Sequence, residues 1–151
     1  MKTVRNLVAG RDVYAIQRDI TVQEAAAYMA SKHVGAIAVL EGTRLVGIFS
    51  ERDVITRVIA CGSKPEATKV EDVMTKDLVV AEADESCESC LWKMKQAACR
   101  HLPIVEEDRL LGVISLRDLL MVEIDEKAEN IEFLHNYLFT LPGHAEKKYK
   151  V

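Results

Sequence analysis

The chain has 151 residues, 49% of them hydrophobic, and a formal charge of −4. That is apolar material for one globular domain or two small ones. No apolar run is long enough to cross a bilayer, residues 1–5 lack the apolar stretch of a secretory signal, and no basic stripe offers a nucleic-acid surface. The expectation is a cytoplasmic protein with neither membrane nor nucleic acid among its partners.

In chain order, a lead-in at 4–7 precedes an apolar run at 13–16 that reads as a short strand. Thr21-Val-Gln-Glu24 follows, a capping-box signature in which the threonine hydroxyl holds an early helix N–H and the glutamate reaches back. Val22, Ala25, Ala26 and Met29 then share one face at helical spacing, and His33 ends that helix at the surface. Apolar runs at 36–40 and 45–49 flank Glu41-Gly42-Thr43 as a hairpin. Ser50 opens a closing helix, and Cys61-Gly-Ser-Lys-Pro65 serves as a linker.

The same order then returns. Gly47-Ile-Phe-Ser50-Glu-Arg52-Asp53 recurs as Gly112-Val-Ile-Ser115-Leu-Arg117-Asp118, an offset of 65 that holds without a gap from Val13 to Asp53 against Leu78 to Asp118. Only the lead-ins, 4–7 and 70–73, are offset by 66. The second copy supplies strands at 78–81, 102–105 and 110–114, a helix from Cys87, and a closing helix from Ser115. Each copy reads strand, helix, strand, strand, helix, an α+β unit. A unit of this size buries little apolar surface alone, so the two are expected to pack sheet against sheet as one pair, with ligand crevices between them.

Beyond the second copy, the segment 121–139 continues the last helix or starts another. Ile124, Ala128, Ile131, Leu134 and Leu138 lie on one face, widened by Phe133 and Tyr137. That face packs on its own module or on a second copy of the chain. Pro142-Gly143 ends it, and the basic cluster at 147–150 reads as a solvated tail. The expected division is 1–65, 66–123 and 124–151.

Cys87-Glu-Ser-Cys90 has a spacing known from redox and metal sites. The repeat places Cys87 on Val22 and Cys90 on Ala25, so both belong to the buried stripe of a helix with Leu91 and Met94. No second pair completes a zinc tetrad, and four reduced thiols suit the cytosol.

The Ser-x-Arg-Asp cluster has a plain reading as a helix cap, with Ser50 or Ser115 holding the amide of an aspartate three residues on. Capping does not require the arginine, which is present both times. A helix N-terminus favours phosphate, arginine adds charge-assisted bonds, and an aspartate can accept from two vicinal ribose hydroxyls. Ser50, Arg52 and Asp53, and again Ser115, Arg117 and Asp118, therefore match a ribose phosphate.

With these motifs in order, the chain resembles a tandem CBS-domain protein, the paired arrangement called a Bateman module. The likeness spans about residues 3–123 and rests on both lead-ins, on Glu24-Ala-Ala and Met29, on Arg100-His-Leu-Pro103 and on the two Gly-x-x-Ser-x-x-Asp signatures. The resemblance implies two β-α-β-β-α units related by a pseudo-two-fold axis. It also implies two clefts that take adenosine compounds such as AMP, ADP, ATP, NAD, NADH or S-adenosylmethionine, with no cofactor required. By position, Asp53 and Asp118 would hold ribose, and Ser50 and Ser115 would sit beside ribose and phosphate. Adenine would lie near Val13, Tyr14 and Ala15 in one copy and near Thr75, Leu78 and Val79 in the other. Arg100 and His101 stand where the first copy has Gly35-Ala36, so they are candidate phosphate contacts, or else satisfy a surface carboxylate and a turn carbonyl. Their presence favours phosphate contacts in the second cleft over the first.

No nucleophile–histidine pair, paired carboxylates or glycine-rich phosphate loop suggests an enzyme. The expectation is a regulatory nucleotide sensor, a homodimer like other CBS pairs, acting on a regulated protein partner or through its own assembly. The alternative is a structural interaction module whose Ser and Asp residues only cap helices.

Overall fold

The computed structural model, which describes residues 2–138, turns each copy of the repeat into the same three-stranded sheet. In the first, β1 (Ala15–Gln17) runs parallel to β2 (Ala36–Glu41), which pairs antiparallel with β3 (Arg44–Ser50). In the second, β4 (Ala81–Glu82), β5 (His101–Glu106) and β6 (Arg109–Ser115) repeat that order. Even the irregularities correspond: Ala36 faces Ser50 as His101 faces Ser115, and the hairpin ladders slip between Val39 and Leu40 and between Ile104 and Val105. The fold is α+β, and the sheets meet through β3 and β6.

The first strands begin later than the apolar runs promise. Tyr14 stays outside β1, its ring set edge-on against Tyr28 with centroids 6.5 Å apart. In the second copy residues 78–80 stay outside β4. Pro103 on β5 stands where the parallel ladder would meet residue 80, and proline has no N–H to give it.

Between strands lie α2 (Val22–Lys32) and α5 (Cys87–Ala97). The expected capping box closes α2: Glu24 N donates to Thr21 Oγ1 at 3.1 Å and Thr21 N donates to Glu24 Oε2 at 2.9 Å. Ser86 caps α5 through the amide of Ser89 at 3.1 Å. Both helices stop in a left-handed residue that is not glycine, His33 at φ 56° and Ala98 at φ 51°. The following amides, Val34 and Cys99, reach back to the carbonyls of Met29 and Met94.

The lead-ins are exchanged. α1 (Val4–Val8) docks on the second copy, where Val4 N donates to Glu85 O at 2.9 Å and Arg5 N to Ala83 O at 3.0 Å. α4 (Val70–Val73) docks on the first, where Val70 N donates to Ile20 O at 2.9 Å and Glu71 N to Arg18 O at 3.0 Å. The glycines of the repeat permit this. A Cβ on Gly47 would lie 2.4 Å from the Met74 sulfur, and one on Gly112 would lie 3.1 Å from Val8 Cγ1. Val70, Val73 and Met74 thereby join Ile16, Val22, Met29, Ile37, Val39, Phe49 and Val58 in the first copy's core.

The closing helices differ. α3 (Glu51–Asp53) passes into a π-helical turn over Val54–Ile59, whereas α6 (Leu116–Leu138) is one continuous α-helix that also takes up the segment expected from 121 onward. Residues 2–119 form one compact unit and residues 120–138 fall in another. Residue 139, Pro142-Gly143 and the basic cluster at 147–150 lie outside the described residues. Among the described residues no helix is long and apolar enough to cross a membrane.

Candidate ligand-binding site

β3 runs directly into α3, which places Ser50 at the helix cap and Asp53 one turn inside it. The box is closed in both directions: Asp53 N donates to Ser50 Oγ at 3.3 Å, and Ser50 N donates to Asp53 Oδ2 at 3.0 Å. Asp53 is only 4% exposed, the one buried charged residue among those described. A buried carboxylate needs partners. Besides Ser50, the Thr75 hydroxyl donates to Asp53 Oδ1 at 3.3 Å, and Arg57 Nε lies 3.6 Å from the same oxygen. Arg57 also donates through Nη1 to the carbonyl of Met74 at 2.9 Å and of Val73 at 3.3 Å. It thus ties the first copy's closing helix to the second copy's lead-in.

A cavity of about 410 Å³ opens beside this carboxylate. Of the residues singled out in the sequence, Ser50, Arg52, Asp53, Thr75, Leu78, Val79, Arg100 and His101 line it together. Glu51, Thr56, Arg57, Asp77 and Cys99 complete its polar wall. His101 has its pKa lowered by burial, reinforced by the neighbouring Arg100 cation and opposed by Glu51 and Asp118. Its imidazole is therefore neutral near pH 7, able to donate from one nitrogen and to take up a proton when an anion arrives. Burial pushes the Cys99 thiol up, which keeps it protonated and a poor nucleophile.

The other cluster is arranged differently. Ser115 N donates to Asp118 Oδ2 at 2.8 Å and Asp118 N to Ser115 Oγ at 3.1 Å, so the cap is repeated. Asp118, however, pairs with Arg11, whose Nη1 lies 3.4 Å from Oδ2. Ser115, Arg117 and Asp118, with Val13, Tyr14 and Ala15, are not part of the wall of the 410 Å³ cavity. Arg100 and His101, expected as phosphate contacts of the second cleft, line the cavity beside Asp53, and His101 also feels the Asp118 charge from its place opposite Ser115. The sheets pack on each other, so the start of β5 opens toward the helix start of the first copy.

A wider cleft of about 510 Å³ runs over Arg18, Glu41, Arg44 and Glu71, but its charges neutralise one another. Arg18 reaches Glu41 at 3.0 Å and Glu71 at 3.4 Å, and Arg44 reaches Glu41 at 3.4 Å. Cys87 and Cys90 are buried on α5 beside Met94, and burial raises the Cys90 pKa to about 11. Among the described residues no group of three His, Cys, Asp or Glu could hold a metal ion.

Sequence reasoning missed Arg57, Asp77 and Arg11. Arg57 carried a signal, since it follows Asp53 by four positions on a helix. Arg11 carried none, because its partner lies in the other half of the chain.

Comparison with known proteins agrees with this architecture. A family model described as the CBS domain matches residues 4–60 and 70–125. The chain is 34% identical to the CBS domain-containing protein YhcV of Bacillus subtilis over 77% of its own length and 82% of that protein's. It is 29% identical to the mitochondrial CBS domain-containing protein CBSX3 of Arabidopsis thaliana, of which it spans only 61%. Among solved structures, a signal-transduction protein with CBS domains from Burkholderia ambifaria superposes with a TM-score of 0.78 at 32% identity, covering 82% of this chain and 95% of that one. The CBS domain protein PAE2072 of Pyrobaculum aerophilum, complexed with AMP, shares the fold at TM-score 0.71 and 21% identity, covering 78% of this chain and 89% of that one. With both halves of the repeat matched by that model, this chain belongs to the CBS-domain family and carries two copies of the domain in tandem.

Proposed function

We propose that this chain is a regulatory module that binds an adenosine nucleotide in the cavity beside Asp53 and acts through a partner protein or through its own assembly. The observation that carries the reading is one buried carboxylate, held by hydroxyl donors, on the wall of a cavity that also holds Arg52, Arg100 and His101. A ribose offers two vicinal hydroxyls that replace the donors from Ser50 and Thr75, leaving the Asp53 charge satisfied. The guanidinium groups of Arg52 and Arg100 supply charge-assisted bonds for phosphate oxygens. Leu78 and Val79 offer an apolar wall for the base, and the cavity volume falls in the range of about 300–1,000 Å³ usual for small-molecule sites. A bound AMP in a protein of the same fold supports the adenosine class and makes AMP the first ligand to try.

A ligand that binds the folded state raises stability by about 2.7 kcal/mol at a hundredfold excess over its Kd. AMP, ADP, ATP, NAD+ and NADH are therefore titrated against thermal unfolding of wild type, Asp53→Ala and Asp118→Ala. Stabilisation of wild type that falls sharply in Asp53→Ala and less in Asp118→Ala supports the reading. The purely structural alternative draws on the closed Ser50–Asp53 box, which satisfies the carboxylate with no ligand at all. It expects no response from any of the three proteins.

A second copy of the chain is the assembly partner that the exposed apolar side chains favour. Ile55 and Ile59 are 63% and 57% exposed, and their repeat equivalents Leu120 and Ile124 are 45% and 58% exposed. Large apolar groups kept at the same exposed positions in both copies suit burial against another protein. Sedimentation of wild type and of Ile55→Lys/Ile59→Lys tests this: a dimer that the lysines dissociate is the expected result, and a monomeric wild type rejects it.

A further inference from the structure

The two aspartates of the repeat differ in what faces them. We infer that Arg11 is an internal competitor for ligand at Asp118, a selectivity-determining residue that directs binding to the Asp53 cavity. The inference rests on the nucleotide reading above and says which of the two clefts fills first.

Local geometry places the guanidinium. After α1, Arg11 N donates to Val8 O at 3.1 Å, and Gly10 turns the chain at φ +74°, a left-handed conformation that glycine adopts without strain. The side chain then crosses to the second copy, where Nη1 stands 3.4 Å from Asp118 Oδ2. That oxygen already accepts the amide of Ser115. A ribose hydroxyl seeking the Asp118 carboxylate must therefore share it with a cation or displace that cation.

The corresponding stretch of the other copy carries Lys76-Asp77, and it is Asp77 that lines the Asp53 cavity. An acid there repels the Asp53 carboxylate, so it cannot act as the plug that Arg11 provides. The residues just before the second strand reinforce the inequality. Arg100 lines the Asp53 cavity and adds a cation there, whereas its equivalent Gly35, on the same cavity, has no side chain to offer the Asp118 cleft. Asp53 also meets a cation, Arg57 at 3.6 Å, but that guanidinium is tied to the Val73 and Met74 carbonyls, and the Asp53 cavity adds Arg52 and Arg100 for a phosphate.

The magnitude is bounded by exposure. The Arg11 and Asp118 side chains are 50% and 29% exposed, so water and salt weaken their attraction. Releasing such a pair is expected to tighten ligand binding at Asp118 by about two- to fivefold. Arg11 sits on an exposed turn, so its replacement leaves the core intact.

The test is calorimetric titration of AMP into wild type, Arg11→Ala and Arg11→Lys, each alone and combined with Asp53→Asn to isolate the weaker cleft. The expected result is two unequal sites in wild type, with the stronger removed by Asp53→Asn. In that background Arg11→Ala lowers the remaining dissociation constant about two- to fivefold, with Arg11→Lys in between. Weaker binding in Arg11→Ala would mean that Arg11 grips the ligand's phosphate, and it overturns the inference. Equal sites in wild type, unchanged affinity in Arg11→Ala, or no residual site in the Asp53→Asn proteins also overturn it, while leaving the Asp53 reading intact. Silence from every protein, wild type included, rejects the nucleotide reading itself.

Discussion

Asp53 and Asp118 hold the same position in their copies and close the same cap onto Ser50 and Ser115, yet one is buried and the other partly exposed. Thr75 and Arg57 surround the first; Arg11 faces the second. The backbone follows the repeat, because strand register, bulge and cap depend on local sequence that both copies keep. The chemistry follows positions where the copies diverge: Arg57 stands where the second has Val122, and Arg100-His101 stands where the first has Gly35-Ala36. Duplication preserved the frame, while divergent positions within a copy and residues that cross from one copy to the other decide what each carboxylate meets.

The sharpest way to break this comparison is through the cores. Phe49 and Ile114 are equivalent in the repeat and both fully buried. Phe49→Ala is expected to destabilise by about 3–5 kcal/mol and Ile114→Ala by about 2–5 kcal/mol. Each should shift one shared urea transition, because the lead-ins are exchanged between the copies and both sheets lie in one compact unit. Two separate transitions would show the copies to be independent.

A smaller effect separates the two arginines. Arg57→Ala removes charge-assisted bonds to two lead-in carbonyls, and its expected cost is about 1–2 kcal/mol after allowance for the half-exposed side chain. Arg11→Ala should cost less than about 1 kcal/mol, since its pair is more open to water. Chemical denaturation of both variants checks the order, and a larger loss for Arg11 would reverse the contrast.

His101 has Ala36 as its repeat equivalent, so it gives one cavity a pH dependence of its own. Its pKa lies below the ordinary 6.5, so the unfolded chain takes up that proton first as pH falls. The contribution of neutral His101 is complete above 6.5 and is lost progressively below it. Thermal melts at about pH 7.5 and about pH 5.5 should show a larger fall for wild type than for His101→Gln.

The smallest effect concerns a feature both copies share. His33 and Ala98 end their helices at positive φ, where an L-residue costs roughly 1–2 kcal/mol and glycine's extra chain entropy returns only part of that. His33→Gly and Ala98→Gly should each stabilise by up to about 1 kcal/mol, read as a rise in Tm. Unequal gains would mean that packing around one helix end already relieves its strain.

Much of the frame was legible along the chain. The constant offset announced two copies, Thr21 and Glu24 marked a helix start, Gly42 marked a hairpin, and helical spacing put Cys87 and Cys90 inside. These features depend on neighbours within a few residues. The strand starts were less legible, since Pro103 limits β4 from the other side of its ladder.

Of the cavity lining, Ser50, Arg52, Asp53, Thr75, Leu78, Val79, Arg100 and His101 could be nominated from the repeat and from resemblance, yet how they combine could not. Asp53 meets Thr75, and its cavity takes in Arg100 and His101, because the lead-ins change places and the sheets pack on each other. The sequence by itself determined two copies of one unit, with a capped aspartate in each, because periodicity and caps are local physics. Only the tertiary structure decided that one aspartate is buried on a cavity wall and the other held by Arg11. Burial and charge pairing depend on which distant residues are brought close, and nothing in the spacing of residues along a chain records that.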